Sequence, residues 1–241
     1  MRYLAIVAYD GMNYNGFQRQ TNGIGIQNII EKAFRLMTQT EIQIHSAGRT
    51  DKGVHALGQA FHFDSALDIE PETWVRALND RLPLDIRILK VKYVTHDFHA
   101  RHSATSKIYK YVISKNPTSP FTSRYEVYIK NLDIEPMKHA IRYLEGTHDF
   151  KGFCQYVKGK PTIKTIHKIT FKETKHQYIF TFHGNSFLKY MVRSMMGTLI
   201  EIGLHRLDVS IIQEILETQN RKLAGKTADA RGLFLVKINY D

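Results

Sequence analysis

Gln43-Ile44-His45-Ser46-Ala47-Gly48-Arg49-Thr50-Asp51-Lys52-Gly53-Val54-His55-Ala56-Leu57-Gly58-Gln59-Ala60-Phe61-His62-Phe63 sets the architecture of the first half of this chain. Both ends of the stretch, residues 43–47 and 59–63, alternate apolar and polar side chains with the period of a strand. Between them, Gly48 to Ala56 is too polar and glycine-rich for a core element and reads as a loop. Upstream, Leu4 to Tyr9 is a β-leaning run closed by the turn pair Asp10-Gly11, and Gly16 to Gly23 is a polar loop. Ile26, Ile29, Ile30, Ala33, Phe34 and Met37 then recur at helical spacing. Downstream, Pro71 suits the first turn of a helix through Trp74, Leu78 and Leu82, and Ile86 to Val91 is another strand. Strand, helix, strand, strand, helix, strand is the order of the split βαβ, or ferredoxin-like, arrangement.

The second half loosely repeats this order. Lys107 to Ile113 predicts a strand, Ile134 to Leu144 a helix, and Ile163 to Phe171 and Tyr178 to Phe182 two strands. A long apolar helix is predicted from near Ser186, a shorter one over Val209 to Leu216, and a closing strand over Leu233 to Ile238. A boundary near residue 102 divides an N-terminal α+β domain, 1–102, from a C-terminal one, 103–241. So short a junction leads us to expect that the halves share one continuous sheet.

Composition narrows the partners. The chain has 241 residues, 43% of them hydrophobic, which is enough for a packed core. Its formal net charge is +11, the balance of a protein built to meet a polyanion, though charge alone does not separate RNA from DNA or an anionic membrane. The single cysteine, Cys154, forbids an intrachain disulfide and suits a reducing cytosol, and the N-terminal apolar run is too short for a signal peptide. Lys189, Arg193 and Glu201 interrupt the apolar segment 187–204, so no membrane span is expected. The 12 histidines show no H-E-x-x-H and no paired Cys/His spacing, so no metal site is expected either.

Three segments carry candidate chemistry. In the loop Gly48 to Ala56, Arg49, Thr50, Asp51 and His55 crowd between glycines, and a rigid scaffold on both sides can present them to a cleft. The plain alternative is an ordinary Asp-centred turn. In Phe187 to Met196, Arg193 lies in a nearly continuous apolar stretch, where a buried guanidinium needs an anionic partner, unless it is a structural ion pair or reaches solvent at the helix edge. In Lys107-Ile108-Tyr109-Lys110-Tyr111, alternation puts Lys107, Tyr109 and Tyr111 on one face. Tyrosines beside lysines can stack bases and hold phosphates, but tyrosine is also simply favoured in strands.

Taken together, these segments resemble the tRNA pseudouridine synthase A family. The matching stretches are Tyr9 to Gln20, Gly48 to Ala56, Phe98 to Ala104, Lys107 to Tyr111, Gly146 to Phe150 and Met191-Val192-Arg193, spread over almost the whole chain. The resemblance implies an α+β pseudouridine synthase fold, with two ferredoxin-like (RRM-like) halves, a continuous mainly antiparallel sheet and a catalytic cleft. It implies that Asp51 is the nucleophile, that Tyr109 packs on the target base and helps move the C5 proton, and that Arg193 pairs with the catalytic carboxylate. Arg49, His55, Arg101, Lys107 and Tyr109 are the expected substrate contacts. No cofactor and no metal are implied. The implied partner is the tRNA anticodon stem-loop, with uridines 38 to 40 as targets, and the implied enzyme is a cytoplasmic homodimer. Two positions depart from the family pattern: His102 stands where Phe is common, and Phe234 where Tyr is common. A non-catalytic RNA-binding module, or an isomerase of another RNA site, are the alternatives.

Overall fold

The computed structural model describes residues 1–20 and 23–240. In chain order the elements are β1 (Arg2–Tyr9), α1 (Ile26–Thr38), β2 (Ile44–Ser46), β3 (His55–Asp64), α2 (Pro71–Asn79), β4 (Ile86–Val94), β5 (Ala104–Ser114), β6 (Val127–Tyr128), α3 (Ile134–Ala140), β7 (Gly146–Asp149), β8 (Ile163–Glu173), β9 (Gln177–Gly184), α4 (Met191–Gly203), α5 (Ile211–Thr218) and β10 (Leu233–Tyr240). The class is α+β, with mostly antiparallel pairing. Two compact units form: Met1–Thr105 together with Phe234–Asp241, and Ser106–Leu233. Thr21 and Asn22 of the polar Gly16–Gly23 loop lie outside the described residues.

In the first unit, β1 pairs antiparallel with both β3 and β4, and β2 pairs antiparallel with β3. The order β4-β1-β3-β2 is that of the ferredoxin-like unit read from the sequence. The pairing of β10 is an addition that no local sequence pattern shows. Strand β2 covers only Phe61 to Phe63 of β3, and β10 pairs parallel with its beginning, Phe234 with His55 and Leu235 with Ala56. That pairing starts β3 at His55, four residues before the alternation becomes visible. Phe61 and Phe63 face the helices. Phe63 meets Tyr3 at 5.0 Å, Phe34 of α1 at 4.6 Å and Trp74 of α2 at 5.2 Å between ring centres. All five of these aromatic side chains are fully buried. Burial of such rings is the main favourable term in a core of this size.

In the second unit the order is β5-β9-β8-β7, all antiparallel, with β6 parallel to β5. Helix α4 buries Met191, Met195, Met196, Leu199 and Ile202, which explains an apolar character on nearly all sides. The expected start of this helix near Ser186 is corrected to Met191. Tyr190 holds φ 64°, ψ 0°, in the left-handed region, and so cannot continue a helical ladder. Ahead of it, Asn185 is pinned to β8: its N–H donates to the Thr165 carbonyl (3.0 Å), and its side-chain oxygen accepts from Thr165 N–H (3.1 Å). Residues 186–190 therefore cross from strand to helix as a fixed non-helical segment.

Candidate active site

The loop between β2 and β3 is fixed largely through its backbone. Ala47 N–H donates to the Ala60 carbonyl, and the Gly48 carbonyl accepts from Nε2 of the fully buried Gln59 at 3.0 Å. Thr50 is buried; its hydroxyl lies 2.8 Å from the Tyr9 hydroxyl, and its carbonyl accepts from Phe17 N–H at 3.2 Å. Val54 N–H closes a turn onto the Asp51 carbonyl at 3.1 Å, and Gly53 takes the positive φ (78°) that the third position of such a turn requires. Gly11 and Gly16 let the preceding loop close over this one. A β-carbon on Gly11 would stand 1.9 Å from the Val54 carbonyl oxygen, and one on Gly16 2.4 Å from that of Thr50. Asp51 is left half-buried at the head of the turn, with Arg49 and Lys52 exposed on either side.

The ring of His55 is 1% exposed and stacks on Phe234 at 4.7 Å. Its Nδ1 lies 3.2 Å from Gly11 N and 3.1 Å from Asp10 Oδ1. A single nitrogen can accept from the amide or donate to the carboxylate, not both, and either bond ties the Asp10-Gly11 turn to the base of the loop. From this position His55 touches protein rather than solvent. Phe234, one of the two departures from the family pattern, forms the other wall of its site.

Arg101 is exposed, on the loop between β4 and β5. Its backbone N–H donates to His99 Nδ1 at 3.1 Å. His99 belongs to an array of four imidazoles: His45 and His62 stack at 4.9 Å, His62 and His99 meet edge to face at 4.7 Å, and His102 lies 4.4 Å from His99. His62 accepts from Ala100 N–H through Nδ1. Burial, then the charges of His45 and His99, depress its pKa to about 4, and burial also lowers that of His99. Among the described residues no group of three or more His, Cys, Asp or Glu side chains is arranged to hold a metal ion.

In the second unit, β5 carries Lys107, Tyr109 and Tyr111 on one face, opposite Gly184, Phe182 and Phe180 of β9. The three fare differently. Lys107 is half-buried. Tyr109 is 8% exposed, with its ring edge-to-face on Phe187 at 5.1 Å. Tyr111 is fully buried, donates to the Asp229 carbonyl (2.9 Å) and fills the space that a β-carbon on Gly232 would need. Tyr111 is thus a core residue, and Tyr109 is the less deeply buried of the two.

Arg193 lies in the first turn of α4. Its Nε donates to the Ala228 carbonyl at 2.8 Å, and Ala228 N–H donates back to the Arg193 carbonyl at 3.0 Å. Its guanidinium carbon stands 5.5 Å from the centre of the Tyr190 ring. The segment 224–228 can lie this close because Gly197 has no side chain: a β-carbon there would sit 1.7 Å from the Lys226 carbonyl oxygen. Gly225 N–H in turn donates to Thr198 Oγ1. The apolar-stretch anomaly in the sequence thus marks a guanidinium held by backbone and by an aromatic face.

Four residues with a part in this geometry escape the sequence reading. Tyr9 and Gln59 hold the Asp51 loop from beneath, and Phe187 and Tyr190 touch Tyr109 and Arg193. Gln59 sits at a strand position with apolar neighbours on both sides, and a lone amide in that setting was the available signal.

Residues 5–103 and 140–241 match a family model described as tRNA pseudouridine synthase. The chain is 42% identical over 238 residues to tRNA pseudouridine synthase A of Onion yellows phytoplasma (strain OY-M), covering 99% of this chain and 98% of that protein. It is 42% identical over 246 residues to tRNA pseudouridine synthase A of Streptococcus pneumoniae (strain P1031), covering 100% of this chain and 99% of that protein. Among solved structures, a Cbf5-Nop10-Gar1 complex overlays 82% of this chain and 53% of that chain at 10% identity, with a TM-score of 0.35, too low to argue from.

Proposed function

The chain belongs to the tRNA pseudouridine synthase family, and from that membership we propose that it converts uridine to pseudouridine at positions 38, 39 and 40 of the tRNA anticodon stem-loop. It is an isomerase acting on tRNA. The reaction breaks the N1–C1′ bond, turns the uracil and joins C5 to C1′. C5 gives up its proton and N1 ends protonated, so nothing is added or lost overall.

We assign the nucleophile to Asp51. The observation that carries this is the loop itself: a half-buried carboxylate on a turn whose neighbours are held by Tyr9, Gln59, Phe17 and the Gly53 turn. A fixed loop needs no reorganisation as the reaction proceeds. The ionised carboxylate attacks C1′ or C6, or takes a ribose proton to form a glycal. Arg193 is assigned to pair with it, favouring the charged form and orienting it. Tyr109 is assigned to pack on the uracil once it leaves the stack and to help carry the C5 proton, its ring already braced by Phe187.

Arg49, Arg101 and Lys107 are assigned to RNA contact, and His55 to holding the loop through which that contact is made. The Gly16–Gly23 loop and the basic Lys151–Lys164 stretch are assigned to phosphates, which position the stem without reading its sequence. The working enzyme is proposed to be a cytoplasmic homodimer that needs no cofactor or metal.

The test is tritium release from C5-tritiated uridine in an unmodified tRNA transcript. C5 loses its hydrogen only when the base is re-attached there. Release by wild type and none by Asp51→Ala, with tRNA binding kept, is the expected result. Residual release by Asp51→Ala would remove the nucleophile assignment. Absence of release by either protein, with tRNA still bound, would favour the non-catalytic binding module.

A further inference from the structure

We infer that Tyr190 is a positioning residue for the reaction, fixing the plane of the Arg193 guanidinium from a strained backbone at the head of α4. The inference rests on the assignment of Arg193 as the partner of Asp51.

Among the described residues, Gln39, Asn131, Tyr190, His205 and Gln219 are the non-glycine residues at positive φ, and Tyr190, at φ 64°, is the one that stands directly ahead of a helix. A side chain with a β-carbon is strained there, whereas Gly, and to a lesser degree Asn, sits there at little cost. Such strain persists where the surroundings impose it, and functional sites are where it gathers. The surroundings here are specific. Asn185 is locked to Thr165 by two hydrogen bonds, and Met191 N–H closes a turn on the Leu188 carbonyl. The segment between is therefore set in place, and the left-handed residue brings its ring beneath Arg193 at 5.5 Å. Lys189 Nζ lies 5.0 Å from the same ring.

The Ala228 carbonyl accepts from Nε and fixes that edge of the guanidinium. The Tyr190 ring, 5.5 Å from the guanidinium carbon, adds a preference for the tilt of its plane, because a guanidinium over an aromatic quadrupole is favoured. The same segment supplies Phe187 against Tyr109. Residues 186–190 thus touch two of the three residues assigned to the chemistry, without being assigned to it themselves.

A purely structural role in starting the helix is separable from positioning, because Asn tolerates the left-handed conformation and lacks the ring. The experiment measures single-turnover tritium release, tRNA binding and melting temperature for Tyr190→Asn, Tyr190→Phe, Arg193→Ala and the double variant Tyr190→Asn/Arg193→Ala. Tyr190→Asn is expected to melt no lower than wild type, bind tRNA normally and lose about tenfold in the chemical rate. The acid limb of its pH–rate profile is expected to move to higher pH, since Asp51 loses an oriented counter-charge. Tyr190→Phe keeps the ring face and is expected to recover the rate. In the Arg193→Ala background, Tyr190→Asn is expected to cost nothing further.

Full activity of Tyr190→Asn beside an impaired Arg193→Ala overturns this inference alone. So does an additive loss in the double variant. Full activity of Arg193→Ala removes the assignment on which the inference stands. If Tyr190→Asn melts low, Tyr190→Gly, which also takes positive φ, replaces it in the same comparison.

Discussion

The hydroxyls of Tyr9 and Thr50 lie 2.8 Å apart in the buried floor beneath Asp51. One belongs to the first strand and the other to the loop after β2, 41 residues later. Burial pushes the pKa of the Tyr9 phenol up, so it stays protonated and available as a donor. The contact ties the Thr50 side chain to the sheet under it, one residue from the proposed nucleophile.

Tyr9→Phe should therefore act on stability and rate together. It leaves the buried Thr50 hydroxyl without this partner, a loss of about 1–2 kcal/mol. Urea unfolding measures the stability and single-turnover tritium release the rate. Thr50→Val added to Tyr9→Phe should restore part of the stability, because no polar group is then stranded. A Tyr9→Phe protein as stable and as fast as wild type would show that the backbone bonds alone set the loop.

Gly16 and Gly159 make a controlled pair. Both hold positive φ, 87° and 80°, but a β-carbon on Gly16 would stand 2.4 Å from the Thr50 carbonyl oxygen, while one on Gly159 would meet nothing within 4 Å. Gly159→Ala should cost only the backbone strain, about 1–2 kcal/mol. Gly16→Ala adds overpacking against the loop and should cost about 3–5 kcal/mol in all. Equal losses in the two variants, read from urea midpoints, would mean that the loop yields readily and is not the rigid frame described.

Much of this was legible in the sequence, and what was not has a common cause. The alternation at 43–47 and 59–63 announced β2 and β3, and the helical spacing of Ile26 to Met37 announced α1, because each pattern is local. The first residues of β3 carry the polar, glycine-rich pattern of a loop. His55 becomes strand by pairing with Phe234, and Ala56 by pairing with both Tyr9 and Leu235, partners far along the chain that no local pattern reveals. Strand β7 likewise owes its state to β8. Apolar composition ran the long helix back to Ser186, and only the backbone of Tyr190 shows where it stops. In the site, charged residues stood out by type. The residues that hold them, Tyr9, Gln59 and Tyr190, look like ordinary strand and helix residues until their hydrogen bonds and φ values are seen.

Binding to tRNA should weaken steeply with salt. The chain carries 34 Lys and Arg against 23 Asp and Glu. Lys158 and Lys160 are exposed around Gly159, and Lys151 lies 5.0 Å over the ring of the exposed Tyr156. Each phosphate neutralised contributes roughly 0.7–0.9 to the slope of log K against log salt. Lys158→Gln with Lys160→Gln should lower that slope by about 1–2, with binding weakened for every tRNA alike. An unchanged slope would take this stretch out of the RNA contact surface.

Stability should fall as the medium is acidified, with His62 as a principal cause. Its ring is 2% exposed, accepts from Ala100 N–H and faces His45 and His99, with Arg2 adding positive potential and Asp64 opposing it. The folded pKa lies at about 4, below the ordinary imidazole value of 6.5. The unfolded chain therefore takes up the proton first. The stability that the neutral ring contributes is fully present above the unfolded value and is lost as pH falls from there toward the folded value. Urea midpoints for wild type should drop between pH 7 and pH 4. His62→Gln offers an oxygen to Ala100 N–H and has nothing to titrate. It should be less stable at pH 7 yet show a shallower decline. A decline as steep as that of wild type would assign the acid sensitivity to groups outside the imidazole array.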